Sequence, residues 1–103
     1  MGASQLITEV AQEVQQALDA RYAAGEPAAG SALDQAGLRD GADVVADYLS
    51  HGEAGVAFEH LIYMIIEPDL DLSASAYRTL TRAGELLGMP KDIWSAVRKP
   101  AGG

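Results

Sequence analysis

The sequence predicts an all-α fold, a small bundle of four main helices followed by a short C-terminal helix. Three observations point there. Apolar residues recur at spacings of three and four along the chain, and no stretch keeps the two-residue rhythm of a strand. Glycine or proline interrupts the pattern at helix-length intervals.

Ser4 is placed to cap a first helix that reaches about Ala24, with Leu6, Val10, Val14, Ala17 and Leu18 on one stripe. Gly25, Pro27 and Gly30 break it, and the alanines and glycines between them predict a mobile connection. Ser31 to Leu38 fits a short helical turn, which Gly37 and Gly41 weaken. A second helix from about Leu38 to Ser50 turns Leu38, Ala42, Val45 and Leu49 inward and leaves Asp40, Asp43 and Asp47 on its opposite face.

Ser50 and Glu53 have the spacing of a capping box, in which each side chain accepts from the other residue's backbone N–H. A third helix from about Glu53 to Ile66 follows. It is the most apolar element, with Phe58, Leu61, Ile62 and Ile65 on one face, and is expected to be the central helix. Pro68 disfavours helical backbone at Glu67 and is expected to end it. Ser73 or Ser75 caps a fourth helix that turns Tyr77, Leu80, Ala83, Gly84 and Leu87 inward, and Gly88 stands where a left-handed cap belongs. A last short helix, about Lys91 to Arg98, supplies Ile93, Trp94 and Val97 to the core, and residues 99–103 are expected to be a loose tail.

A chain of 103 residues has room for one core, so residues 1–103 are read as a single domain. Its 49% hydrophobic and 21% charged residues are ordinary for a globular protein. Fifteen acids against seven bases give a formal charge of −8, which argues against direct binding of nucleic acid or an anionic membrane. The acids are concentrated. Residues 1–71 hold thirteen of them against only Arg21 and Arg39, whereas residues 72–103 hold five bases against Glu85 and Asp92. The lack of cysteine favours a reducing, cytoplasmic setting and excludes thiol catalysis and zinc–thiolate sites. The start of the chain lacks a signal-peptide pattern, and its longest strongly apolar run, Leu61 to Ile66, is too short for a membrane span.

No catalytic constellation emerges, and the chain is expected to be neither an enzyme nor a cofactor or metal binder. His51 and His60 do not share a helix face, and no glycine loop of the phosphate-binding type is present. Asp69, Asp71 and Ser73 take the first, third and fifth places of a calcium loop, but Ala74 and Leu80 replace its glycine and its bidentate glutamate. The two aspartates are read instead as complementing the start of the fourth helix. Leu72 separates Asp71 from Ser73, which breaks the pair an acyl carrier protein needs, and the closing Gly102-Gly103 lacks the β-structure of a ubiquitin-like modifier.

The outer side of the third helix carries Glu53, Val56, His60, Tyr63 and Glu67 in one stripe, the composition of a contact surface. The alternative pairs Glu67 with Arg78 or Arg82 and packs Val56 and Tyr63 on the first helix.

The segment 52–94 resembles the MafI-like immunity proteins of bacterial polymorphic toxin and contact-dependent inhibition systems. The resemblance lies in Gly52-Glu53-Ala54-Gly55-Val56-Ala57-Phe58-Glu59-His60-Leu61, then Ile66-Glu67, Leu72 and Ser73, Tyr77, Leu87-Gly88-Met89 and Trp94. Phe58 departs from it, standing where a smaller aliphatic residue is commoner, and residues 1–50 show no such likeness. The resemblance implies a small cytoplasmic protein that binds and neutralises one cognate toxin, often a nuclease, and an acidic inhibitor suits the basic surface a nuclease needs. The candidate partner-binding residues are Asp40, Asp43, Asp47, Glu53, His60, Tyr63 and Glu67, with Tyr63 as the expected central anchor. Two other readings stand beside it: a small acidic helical adaptor or homodimerisation domain, and a charge-mimicking inhibitor of a DNA-binding protein.

Overall fold

Helix α1, Ala3–Ala23, buries Leu6, Val10, Val14 and Leu18 of the stripe its spacing predicts, together with Ile7 and Ala11, while Ala17 is half-buried. The computed structural model describes residues 2–100, and among them it contains four α-helices, two single 3-10 turns and no strand. Ser4 lies within the first turn of α1 rather than capping it; the cap position is Gly2.

Past Gly25 the chain runs as an irregular segment with one 3-10 turn, Ala32–Asp34. Helix α2, Gly41–Ser50, then starts later than its periodicity suggests. Leu38 is fully buried, as expected, but in the turn ahead of the helix. Helix α3, Ala54–Ile66, buries six of its thirteen residues, Ala57, Phe58, Leu61, Ile62, Met64 and Ile65, and is the most buried element. Helix α4, Ala74–Leu86, buries Ala76, Leu80, Ala83 and Gly84, while Tyr77 and Leu87 are half-buried. The expected C-terminal helix is only a 3-10 turn, Lys91–Ile93, yet Trp94 and Val97 enter the core. Three residues give no room for an i→i+4 ladder, so side-chain packing holds this segment. Of the expected loose tail, residues 101–103 lie outside the described residues.

Two expectations about helix ends are corrected. Ser50 and Glu53 do not form a capping box: Ser50 is the last residue of α2, and its hydroxyl donates to the Asp47 carbonyl at 2.7 Å. The turn is closed from the other side. Gly52, at φ 73°, donates to Leu49 O while Glu53 N donates to Tyr48 O, a Schellman closure of α2. Gly88, at φ 70°, closes α4 in the same way through Glu85 O and Gly84 O, as its position predicts. Nor does Pro68 push Glu67 out of helical geometry: Glu67 sits at φ −57°, ψ −51°. The left-handed residue is Asp69, at φ 55°, and Leu70 N reaches back to Ile65 O. Aspartate tolerates this region better than most residues, and Arg98 ion-pairs with both Asp69 and Asp71. That pairing, rather than a helix N-terminus alone, accounts for the two aspartates.

The helix that packs along all three others is α1, which contacts α4, α2 and α3. The expected central position of α3 is met in burial and not in connectivity. Three polar side chains of α1 each hold an end of another helix. Gln15 accepts from Ala42 N at 2.8 Å and donates to Arg39 O at 3.0 Å, capping α2, whose own Asp40 makes no side-chain cap. Glu13 accepts from Ser73 N and Ser73 Oγ at 3.1 and 2.9 Å, while Ser73 Oγ accepts from Ala76 N. This is a capping box whose acid comes from another helix. Arg21 donates to Pro68 O at 2.7 Å, just past the C-terminus of α3. Each polarity suits the helix dipole it meets: acceptors at N-termini, a cation at a C-terminus.

Packing at the other end depends on close approach. The Phe58 and Trp94 rings meet edge to face at 5.9 Å, and a Cβ on Gly84 would lie 2.4 Å from Trp94 Cζ3. Gly84→Ala, which by helix propensity alone would add up to about 1 kcal/mol of stability, should therefore destabilise the fold by about 1–3 kcal/mol. Leu61→Ala should cost about 2–5 kcal/mol. Urea unfolding followed by circular dichroism measures both.

Candidate functional site

The stripe on α3 is not an open surface. The segment between α1 and α2 lies across it as a strap, held by side chains that reach its backbone carbonyls. Tyr63 OH donates to Ala36 O at 2.8 Å, and His60 Nε2 lies 2.9 Å from Gly37 O, so that nitrogen carries the shared proton. From α1, Tyr22 OH donates to Leu33 O at 2.7 Å. Arg39 stacks over the Tyr22 ring at 4.1 Å and pairs with Glu26 at 3.0 Å, drawing the two ends of the strap together. The His60 ring is 5.4 Å from that of Tyr63 and 6.5 Å from that of Tyr48. Gly37 is required for this approach, since a Cβ there would lie 2.8 Å from His60 Cε1.

The expectation that Tyr63 stands free as a central anchor is corrected accordingly. Tyr63 and His60 are half-buried and engaged within the fold, though by the strap and not by α1. Glu53 and Glu67 remain exposed at the two ends of α3, and Val56 is 41% exposed. Neither Arg78 nor Arg82 pairs with Glu67: the arginine ion pairs among the described residues are Arg39–Glu26 and Arg98 with Asp69 and Asp71.

The carboxylates of α2 are differently placed. Asp40, Asp43 and Asp47 are all exposed, and their spacing lines them along one side of the helix. Helix α2 contains no lysine or arginine. Beside them at the end of the helix is His51, whose Nδ1 is 3.7 Å from Asp47 Oδ1. The seven candidate residues thus form no single site. Three share the α2 face, two are held under the strap, and Glu53 and Glu67 flank α3.

Beside the α2 acids lies a feature that periodicity did not expose. Between α1 and α2 a depression of about 150 Å³ is lined by Thr8, Ala11, Gln12, Ala42, Val45 and Ala46. Three of the six are alanines, whose short side chains leave an unfilled seam between two helices in contact. The alanine-rich spacing was the available signal.

Among the described residues no three His, Cys, Asp or Glu side chains are grouped to hold a metal ion, and no helix is long and apolar enough to cross a membrane. No protein-family model matches the chain, and no curated protein or solved structure matches it either.

Burial raises the Tyr63 and Tyr22 hydroxyls above the usual tyrosine range. The Glu67 charge adds to this at Tyr63, and Arg39 opposes it at Tyr22. A raised folded-state value means the stabilisation is complete below the unfolded value and is lost as pH rises through the folded one. Stability should therefore fall on titration above about pH 10, and less so in a Tyr22→Phe/Tyr63→Phe double variant. Tyr63→Phe alone should cost about 0.5–1.5 kcal/mol and speed amide exchange in residues 30–38.

Proposed function

We propose that this chain is a binding protein of the immunity type, which neutralises a cognate toxin domain by covering a cationic surface with the acidic outer face of α2. The observation that carries this reading is the row Asp40, Asp43 and Asp47, exposed on a helix with no base of its own. Carboxylates with no lysine or arginine on their own helix attract and orient a basic partner, raising its association rate. Glu53 and Glu67 extend the acidic character to either end of α3, while His60 and Tyr63 hold the strap in place and act only through it. The resemblance of residues 52–94 to MafI-like immunity proteins supplies the class of partner. A toxin that handles nucleic acid has the basic surface this face fits.

Self-association has less support. Val56 and Leu86 are the large apolar residues left exposed, at 41% and 44%. Two isolated side chains are ordinary on a monomer's surface and far from a dimer interface.

The test is co-purification with the toxin domain encoded by the neighbouring gene, followed by growth rescue in cells that express that domain. Wild type should bind and protect, and loss of both in a folded protein would reject the reading. Asp43→Lys/Asp47→Lys should slow association by about tenfold or more at low salt, with the difference shrinking as ionic strength screens it. Asp43 lies in the first turn of α2, so its reversal also forfeits about 0.3–1 kcal/mol of dipole stabilisation, and thermal unfolding of the variant is the necessary control.

A further inference from the structure

We infer that the seam between α1 and α2 is the seat of the partner, and that it takes one face of a cationic amphipathic helix: an aliphatic side chain set into the depression, with lysine or arginine reaching Asp43 and Asp47. This rests on the reading of the chain as a toxin-binding protein and names the part of the surface that does the binding.

The geometry points to such an occupant in three ways. The floor is apolar, made by buried Val45 and Ala11, and most of its rim is short, made by Ala42, Ala46 and Thr8, with the longer Gln12 beside them. A volume of about 150 Å³ with apolar walls takes a group the size of a benzene ring. Short rim residues also let a partner backbone come close, and a seam between two packed helices accepts a third one lengthwise.

Charge then selects among possible helices. At 100° per residue, Ala42 and Ala46 lie between the core residue Val45 and the acids Asp43 and Asp47. The carboxylates therefore stand on the solvent side of the seam, four residues apart, about 6 Å along the axis. No cation of this chain is available to them on α1: its one base, Arg21, is engaged at Pro68 O. The opposite wall offers Thr8 and Gln12, uncharged and exposed. An acidic partner helix would be repelled, and a wholly apolar one would leave both carboxylates to be desolvated without a counter-charge.

The seam is also fixed in advance of binding. Gln15 bridges α1 to the first turn of α2 through Ala42 N and Arg39 O, holding the two walls at one end. A groove set before contact loses little freedom when it is filled.

The experiment fills the seam from either wall. Ala46→Trp and Thr8→Trp each place a large ring in the depression from an exposed position, and Arg78→Trp on α4 is the control. Each is compared with wild type by calorimetry against the toxin domain of the neighbouring gene, after circular dichroism and thermal unfolding. The inference expects a Kd at least tenfold weaker for Ala46→Trp and for Thr8→Trp, with Arg78→Trp unchanged. If Ala46→Trp fails to fold, Thr8→Trp decides alone. Wild-type binding with both seam variants as tight as wild type overturns the seam and leaves the toxin-binding reading standing. Equal weakening by Arg78→Trp overturns it too. If wild type itself does not bind, the functional reading has failed, and the seam with it.

Discussion

Everything else in this molecule depends on α1 holding the ends of the other three helices. Packing along apolar stripes leaves helices free to slide and rotate by fractions of a turn, because dispersion and hydrophobic burial are not directional. Hydrogen bonds to helix termini are directional. Gln15 at the start of α2, Glu13 at the start of α4 and Arg21 beyond the end of α3 fix the register of each partner against one common spine. The bonds from Gln15 and Glu13 satisfy N–H groups that a helix start leaves orphaned, so register and terminal satisfaction are achieved there by the same contact.

This arrangement explains why the acidic side of the protein is tolerable. The carboxylate used to hold the fold, Glu13, is neutralised by N–H and hydroxyl donors and a helix dipole, and Asp69 and Asp71 by Arg98. What remains on α2 is not needed to hold the helix in place, since Gln15 supplies the cap that Asp40 does not. The carboxylates of α2 are thus left exposed on a face that the cap of that helix does not use.

How far the sequence foretold this differs by element. The stripes of α1, α3 and α4 were legible because burial imposes a 3.6-residue period that composition preserves, and Gly88 and Ser73 announced their caps. The boundary between α2 and α3 was ambiguous, since Ser50-x-x-Glu53 and Gly52 signal different closures of one turn. The glycine prevailed because only it reaches the left-handed region without strain. α3 ends at Ile66 as its pattern indicated, but not for the expected reason: Glu67 stays helical ahead of Pro68, and Asp69, braced by Arg98, makes the turn two residues later. The strap was illegible for a deeper reason. Its partners stand 23 and 27 residues from His60 and Tyr63, and they are carbonyls, which carry no residue identity. The acidic row of α2 could be placed on a helix face from spacing alone, whereas the seam beside it required knowing which helix lies against α2.

The same feature that hid the strap makes it permissive. Where a segment is tied down at backbone oxygen atoms, the exposed side chains between the ties can change without loss of those moorings, whereas the buried Leu38 and the paired Arg39 cannot. The methyl groups of Ala28, Ala29, Ala32 and Ala36 are on exposed residues and take no part in the attachments, whereas a methyl group on Gly37 would collide with the His60 anchor. The strap is accordingly a display loop: new residues, including foreign recognition peptides, can be grafted between two rigid helices while the anchors that locate it stay untouched.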